Sequence, residues 1–101
     1  MHKTLLQLVI SFEWDEGNFH KSWRKHNVSA QETEEVFANE PFMMIDDVQH
    51  SEQERRFRAL GMTSAGRKLS VSFTIRNHVV RPISARTMSK KEIAIYVSRQ
   101  N

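Results

Sequence analysis

The sequence predicts a small α+β domain, with helices packed on a mainly antiparallel sheet in the order β-α-α-β-β-β-α. Three observations carry this. Leu6, Leu8, Ile10, Phe12 and Trp14 alternate with Gln7, Val9, Ser11 and Glu13, the two-residue period of a strand with one buried face. Ser29 and Ser89 each stand three residues before a glutamate, Glu32 and Glu92, and each pair forms a capping box that opens a helix. Between the boxes, Ser64-Ala65-Gly66 and Asn77-His78 are turn signals that divide the second half into a meander.

In chain order, the first strand covers residues 6–12. Asp15 and Glu16 lead into a helix of about ten residues, because acidic side chains favour a helix N-terminus. Phe19, Trp23 and His26 share its inward stripe, and Asn27 supplies a left-handed stop. The helix opened by Ser29 buries Val36 and Phe37 and ends at Asn39, Glu40 and Pro41; residues 42–45 form a short extended piece. A strand over residues 54–60 places Glu54, Arg56 and Arg58 on one face. The next strand buries Leu69, Val71, Phe73 and Ile75 and exposes Lys68, Ser70, Ser72, Thr74 and Arg76. A third runs over residues 79–86, at an edge or bulged at Pro82, which has no N–H for a ladder. The last helix turns Ile93, Tyr96 and Val97 inward.

At 101 residues the chain is long enough for one core, so residues 1–101 are expected to form a single domain. Cysteine is absent, which excludes disulfides, thiolate catalysis and cysteine-based zinc sites. The apolar run from Leu5 to Phe12 is too short to span a bilayer, and the chain reads as cytoplasmic, with no membrane partner. Charge is unevenly spread. Residues 1–49 hold four Lys/Arg against nine Asp/Glu, and residues 50–101 hold eleven against three. Such a dipolar distribution suggests a polyanionic ligand for one face, the plain alternative being a solvated surface.

The segments FEWDEG, RKHNVS, EVFANEP, HSEQERRFRALG, GRKLSVSFTIR and RPISARTMSKKEIAIY stand in the order, and near the spacing, of the BrnT family of toxins, which the chain resembles from Phe12 to Tyr96. The most specific pieces are the FEWD start, the HSExExR segment and the ISAR tail before a Glu and a Tyr. The resemblance implies a RelE-like fold and a metal-independent ribonuclease of a type II toxin–antitoxin pair, one that inhibits translation and growth. Its implied partners are RNA and a BrnA-type antitoxin, with operator DNA reached only through the antitoxin complex, and no cofactor. The chain has Asn18 where the family usually has Lys, Ser22 for Asn, Asn27 for Gly and Pro82 for Ile; Lys21, nearly one turn past Asn18, could partly replace the missing charge. The other reading is a catalytically lapsed binding module that acts with its antitoxin in operon autorepression.

Cutting RNA without a metal requires a base for the 2′-OH, positive charge at the phosphorane and a proton for the 5′-oxygen. Arginine suits the middle task, because its planar fork grips two phosphate oxygens and stays charged. Arg56, Arg76, Arg81 and Arg86 come from three neighbouring strands and are expected to converge at least in part. Lys21, His26, Glu54 and Tyr96 are the candidates for proton transfer, with His26 and Tyr96 also readable as core. Glu54 beside Arg56 is either an acid/base with its orienting cation or a surface ion pair. Trp14, Arg81, Lys68 and Lys90 complete the expected RNA contacts, Trp14 as a stacking platform or as core. The histidines share no metal-site spacing, and Glu32, Glu34 and Glu35 read as the solvated face of a helix.

Overall fold

The computed structural model describes residues 10–50 and 53–99. Most of the expected first strand therefore lies outside the described residues. Its end runs beside Val80, where Phe12 forms a parallel bridge, the Val80 N–H donates to the Ser11 carbonyl and the Glu13 N–H donates to that of Val80. The elements that follow are α1 (Lys21–His26), α2 (Ala30–Ala38), β1 (Met43–Asp47), a 3-10 turn (Val48–His50), β2 (Arg56–Met62), β3 (Lys68–Arg76), β4 (Val79–Thr87) and α3 (Lys90–Ser98). The four strands form one antiparallel sheet in the order β1-β2-β3-β4, so the α+β class holds and the extended piece at 42–45 joins the sheet as its edge.

Local chemistry sets these boundaries. Both capping boxes form: each serine hydroxyl accepts the N–H three residues on, and each glutamate accepts the serine N–H in return. Asn27 ends α1 at φ 58°, the left-handed stop expected of it. Asn77 and His78 turn β3 into β4 with positive φ at both positions, the backbone a tight hairpin demands. Pro82 has its expected irregularity. Ser72 pairs with Ser84 while Phe73 pairs with Pro82, leaving Ile83 as the extra residue of a bulge.

The sheet has two unlike faces. On one, α1 and α2 cover Ala59, Leu69, Val71, Phe73, Val80 and Ala85 with Val28, Val36 and Phe37, and Phe37 meets Phe12 and Phe73 edge-on. Helix α2 approaches β2 so closely that a Cβ on Gly61 would lie 2.9 Å from Val36 Cγ1. On the other face α3 covers one end only, where Leu60, Met88 and Tyr96 pack with Met43, Ile45 and Met62.

Several expectations about burial are overturned. Ser70, Ser72 and Thr74 were expected outside but are buried, because β3 is an inner strand and long side chains from β2 and β4 reach over its short hydroxyls. Ile75, expected inside, is 45% exposed at the end of the sheet. Helix α1 has only six residues, since 16–20 form turns, and it buries Ser22 alone; Phe19, Trp23 and His26 are exposed. The Ser22 hydroxyl accepts the Ala85 N–H at 2.7 Å, so a polar contact docks α1 where an apolar stripe was expected. In α3 Tyr96 is buried, but Ile93 and Val97 are not, because the helix meets the sheet along one narrow line.

A candidate active site on the polar sheet face

The register writes the site directly. Arg56 stands opposite Thr74, which stands opposite Arg81; Arg58 stands opposite Ser72, and Ser70 opposite Arg86. Between Lys68 and Arg76 at its two ends, β3 thus carries only short hydroxyl side chains on this face, flanked on both sides by arginines. Neighbouring strands lie about 4.8 Å apart, so the long guanidinium arms of β2 and β4 close over β3. The expectation that arginines from three strands gather on one face is what the pairing gives.

Glu54 precedes β2 and is not part of it, yet it faces the same way. Its carboxylate accepts from Arg76 Nε at 2.7 Å and Nη2 at 2.9 Å, a bidentate pair. The Arg76 hydrogen bond holds the Glu54 carboxyl below its ordinary range, and Glu54 in turn raises Arg76. Glu54, Arg56 and Arg76 form a wall shared by two clefts. One, of about 200 Å³, is also lined by Asn18, Lys21 and Arg81; the other, of about 430 Å³, is also lined by Gln49, His50 and Gln53. Arg81 is held by Asp15 at 2.9 Å and Glu13 at 3.1 Å, and its hydrogen bond pulls the Asp15 carboxyl down.

Asn18, at the position where the family's lysine was expected, is buried and fully bonded. Its amide donates to the carbonyls of Pro82 at 2.8 Å and Glu13 at 3.0 Å, and its oxygen accepts the Asp15 N–H at 2.7 Å. It stitches the loop after the first strand to the β4 bulge and brings no charge to the cleft. Lys21, in the first turn of α1, also lines that cleft.

Other sequence candidates lie elsewhere. His26 sits at the exposed end of α1, where its carbonyl accepts Arg67 Nη2 at 3.3 Å, so it is neither core nor at the clefts. The Trp14 indole donates to Glu34 at 2.7 Å and packs edge-on with Phe19, which ties it to α2 and leaves it half-buried. The acidic side of α2 is therefore not simply solvated: Glu32 pairs with Arg67 at 2.9 Å and Glu35 accepts the Ser64 N–H. The Tyr96 hydroxyl donates to the Pro41 carbonyl at 2.6 Å, and burial raises its pKa. Lys68 faces the polar side but at the Met62 end of β3, and Lys90 is exposed at the start of α3. Arg86 is likewise at this second end, paired with Glu92 through both oxygens at 2.7 and 3.1 Å.

Two further residues of this face, Arg58 and Glu92, are not among the sequence candidates. Arg58 is half-buried with its Nη1 on the Ser70 hydroxyl at 2.7 Å, and Ser70 donates onward to Glu92 at 3.0 Å. Its position two residues after Arg56 was the available signal. Glu92 had read only as a helix cap. Burial pushes its carboxyl up, but hydrogen bonds from Arg86 and the Ser89 N–H, the Arg86 charge and the Ser70 hydroxyl outweigh this and bring it to about 2. Among the described residues, no three His, Asp or Glu side chains are grouped to hold a metal ion.

A family model described as the ribonuclease toxin BrnT of type II toxin–antitoxin systems matches residues 14–92. The chain belongs to the BrnT family. Every residue of the shared wall, Lys21 and the Arg86–Glu92 pair fall inside the matched span. A BrnT-family chain is the ribonuclease toxin of such a pair, and an antitoxin is its partner. No curated protein matches the chain. No helix among the described residues is long and apolar enough to cross a membrane.

Proposed function

We propose that this BrnT-family chain cleaves RNA without a metal, thereby blocking translation and growth, and that a BrnA-type antitoxin neutralises it. The observation that carries the reading is the Glu54–Arg56–Arg76 wall between two clefts, with Lys21 lining one of them. In the reaction the 2′-oxygen attacks the adjacent phosphorus, the P–O5′ bond breaks, and a 2′,3′-cyclic phosphate remains. Glu54 takes the 2′ proton. In the free chain both its oxygens are tied to Arg76. An entering phosphate competes for the same fork, which frees a carboxylate oxygen and turns Arg76 toward the reacting phosphorus. Arg56 shares the negative charge that builds there, and Lys21 returns a proton to O5′.

The purified chain should therefore cut single-stranded RNA in the presence of EDTA and leave 2′,3′-cyclic phosphate ends. Arg56→Ala should slow cleavage by roughly 10²–10³-fold, the scale of losing one transition-state donor, with the circular dichroism spectrum retained. Cleavage abolished by EDTA, or undiminished in Arg56→Ala, overturns the mechanism. One observation favours a lapsed module that acts only in operator-bound autorepression: Asn18 spends its whole side chain on the loop and leaves the cleft one cation short of the family pattern. A wild-type chain that binds its antitoxin but cuts no RNA decides for that reading.

A further inference from the structure

Arg76, Arg81 and Arg86 each hold a carboxylate of their own chain, at 2.7, 2.9 and 2.7 Å. Arg58 differs. It is half-buried on the same face, and among the described residues no carboxylate lies within ion-pair distance of it; its hydrogen-bond partner is the neutral hydroxyl of Ser70. A partly desolvated cation with no carboxylate in contact costs stability, a cost that a bound anion would lower. Glu92, which shares Ser70 with Arg58, is already spent: Oε1 accepts the Ser89 N–H and Arg86 Nη1, while Oε2 accepts Arg86 Nη2 and the Ser70 hydroxyl. Asp47 acts on Arg58 only through space and lies 3.1 Å from the His50 ring. Glu92 and Asp47 offset part of the Arg58 charge through space, but neither carboxylate bonds to its guanidinium, so among the described residues the fork has no anion in contact and suits the single negative charge of a phosphodiester. Burial and then the charge of Arg86 lower the Arg58 pKa, and Glu92 and Asp47 offset this only in part; a bound anion relieves the remainder.

We propose that Arg58, with Arg86 beside it, forms a second phosphodiester-binding subsite one nucleotide along the strand from the Glu54–Arg56–Arg76 wall. Its assignment to RNA rests on the nuclease reading above. Arg56 and Arg58 project from the same face of β2 two residues apart, about 6.7 Å, close to the phosphate-to-phosphate spacing of an extended ribonucleotide chain. Ser70 holds Nη1 by accepting its proton while donating its own to Glu92, which fixes the fork and leaves its other edge toward the face.

The test is Arg58→Met in the full chain, read by fluorescence anisotropy with a single-stranded DNA oligonucleotide, which lacks the 2′-OH and cannot be cut by this chemistry. The variant should bind more weakly, and the slope of log affinity against log salt should flatten by about 0.7, the share of one phosphate contact on a single strand. Its melting temperature should stay equal or rise, because an apolar side chain replaces a half-buried cation that no carboxylate contacts among the described residues. Arg67→Met, which removes an arginine paired with Glu32, should leave the slope unchanged. Unchanged affinity and slope in Arg58→Met overturn the subsite, even where wild-type RNA cleavage is normal. A wild type that cuts no RNA but loses oligonucleotide binding on Arg58→Met sinks the nuclease reading and keeps the subsite. Should Arg58→Met fail to fold, Arg58→Gln gives the same slope reading.

Discussion

Glu92 makes the strongest stability prediction, because one carboxylate caps α3, pins Arg86 and orients Ser70. Glu92→Ala removes half a capping box, about 1 kcal/mol. It also removes a charge-assisted pair with Arg86, about 1.5–3 kcal/mol. Glu92 is only 16% exposed but Arg86 is 37% exposed, so solvent screens part of this and the expected loss is about 2–3 kcal/mol at pH 7. The pH dependence follows from the depressed carboxyl. A group whose folded pKa lies below its unfolded value contributes stability that is fully present above the unfolded value and is lost as pH falls through the folded one. The window here runs from the ordinary 4.5 down to about 2. That gap corresponds to about 3 kcal/mol, which screening reduces to about 1.5–2 kcal/mol. Urea unfolding followed by circular dichroism at pH 7 and pH 2.5, for wild type and Glu92→Ala, measures both numbers. The difference between the two proteins cancels the acid sensitivity of Asp15, Glu32, Asp46 and Glu54, whose carboxyls are also held low. A double-mutant cycle with Arg86→Met isolates the pair. A Glu92→Ala loss below about 0.5 kcal/mol, or one as large at pH 2.5 as at pH 7, would refute the account.

Two further substitutions test how the site is held. Gly61→Ala puts a methyl 2.9 Å from Val36 Cγ1 and 3.1 Å from the Val36 carbonyl, so α2 must shift; the cost should be about 1–3 kcal/mol, seen as a lower melting temperature. Asn18→Lys installs the charge usual in the family but breaks three hydrogen bonds at a buried position, so it should destabilise by about 2–3 kcal/mol and leave RNA cleavage no faster, checked by a melt and a cleavage assay on one preparation.

What was legible in the sequence was what depends on neighbours in the chain. The capping boxes at Ser29 and Ser89, the stop at Asn27, the Asn77-His78 turn and the irregularity at Pro82 each follow from backbone chemistry within a few residues, and each stands where expected. Strand alternation also placed Arg56 and Arg58 on one face and Arg76 with Ser72 and Thr74. What it could not give was depth. Alternation separates two faces but does not say which face meets solvent, and an inner strand crossed by arginines buries Ser70 as completely as Leu69. The error at α1 has a related cause: Phe19 and Trp23 imitate a core stripe, while Ser22 and Asn18 make the docking contacts through hydrogen bonds that leave no hydrophobic pattern.

The charge asymmetry of the chain has a different meaning in the fold than in the sequence. Glu13 and Asp15 of the acidic half close on Arg81, Asp46 on Arg55 and Glu32 on Arg67, all arginines of the basic half. Glu13 also lies 3.7 Å from Arg76. The two poles therefore interleave, and much of the polar face is a lattice of ion pairs with few bare cations. Exposed pairs of this kind contribute little to stability. A phosphate backbone can take over their arginines at small cost. Salt weakens the internal pair and its replacement together, so each such arginine adds less to the salt dependence of binding than its full charge would. Arg58, which among the described residues has no carboxylate in contact to exchange, contributes more of its charge, and this is why a single substitution there is readable against a background of many arginines.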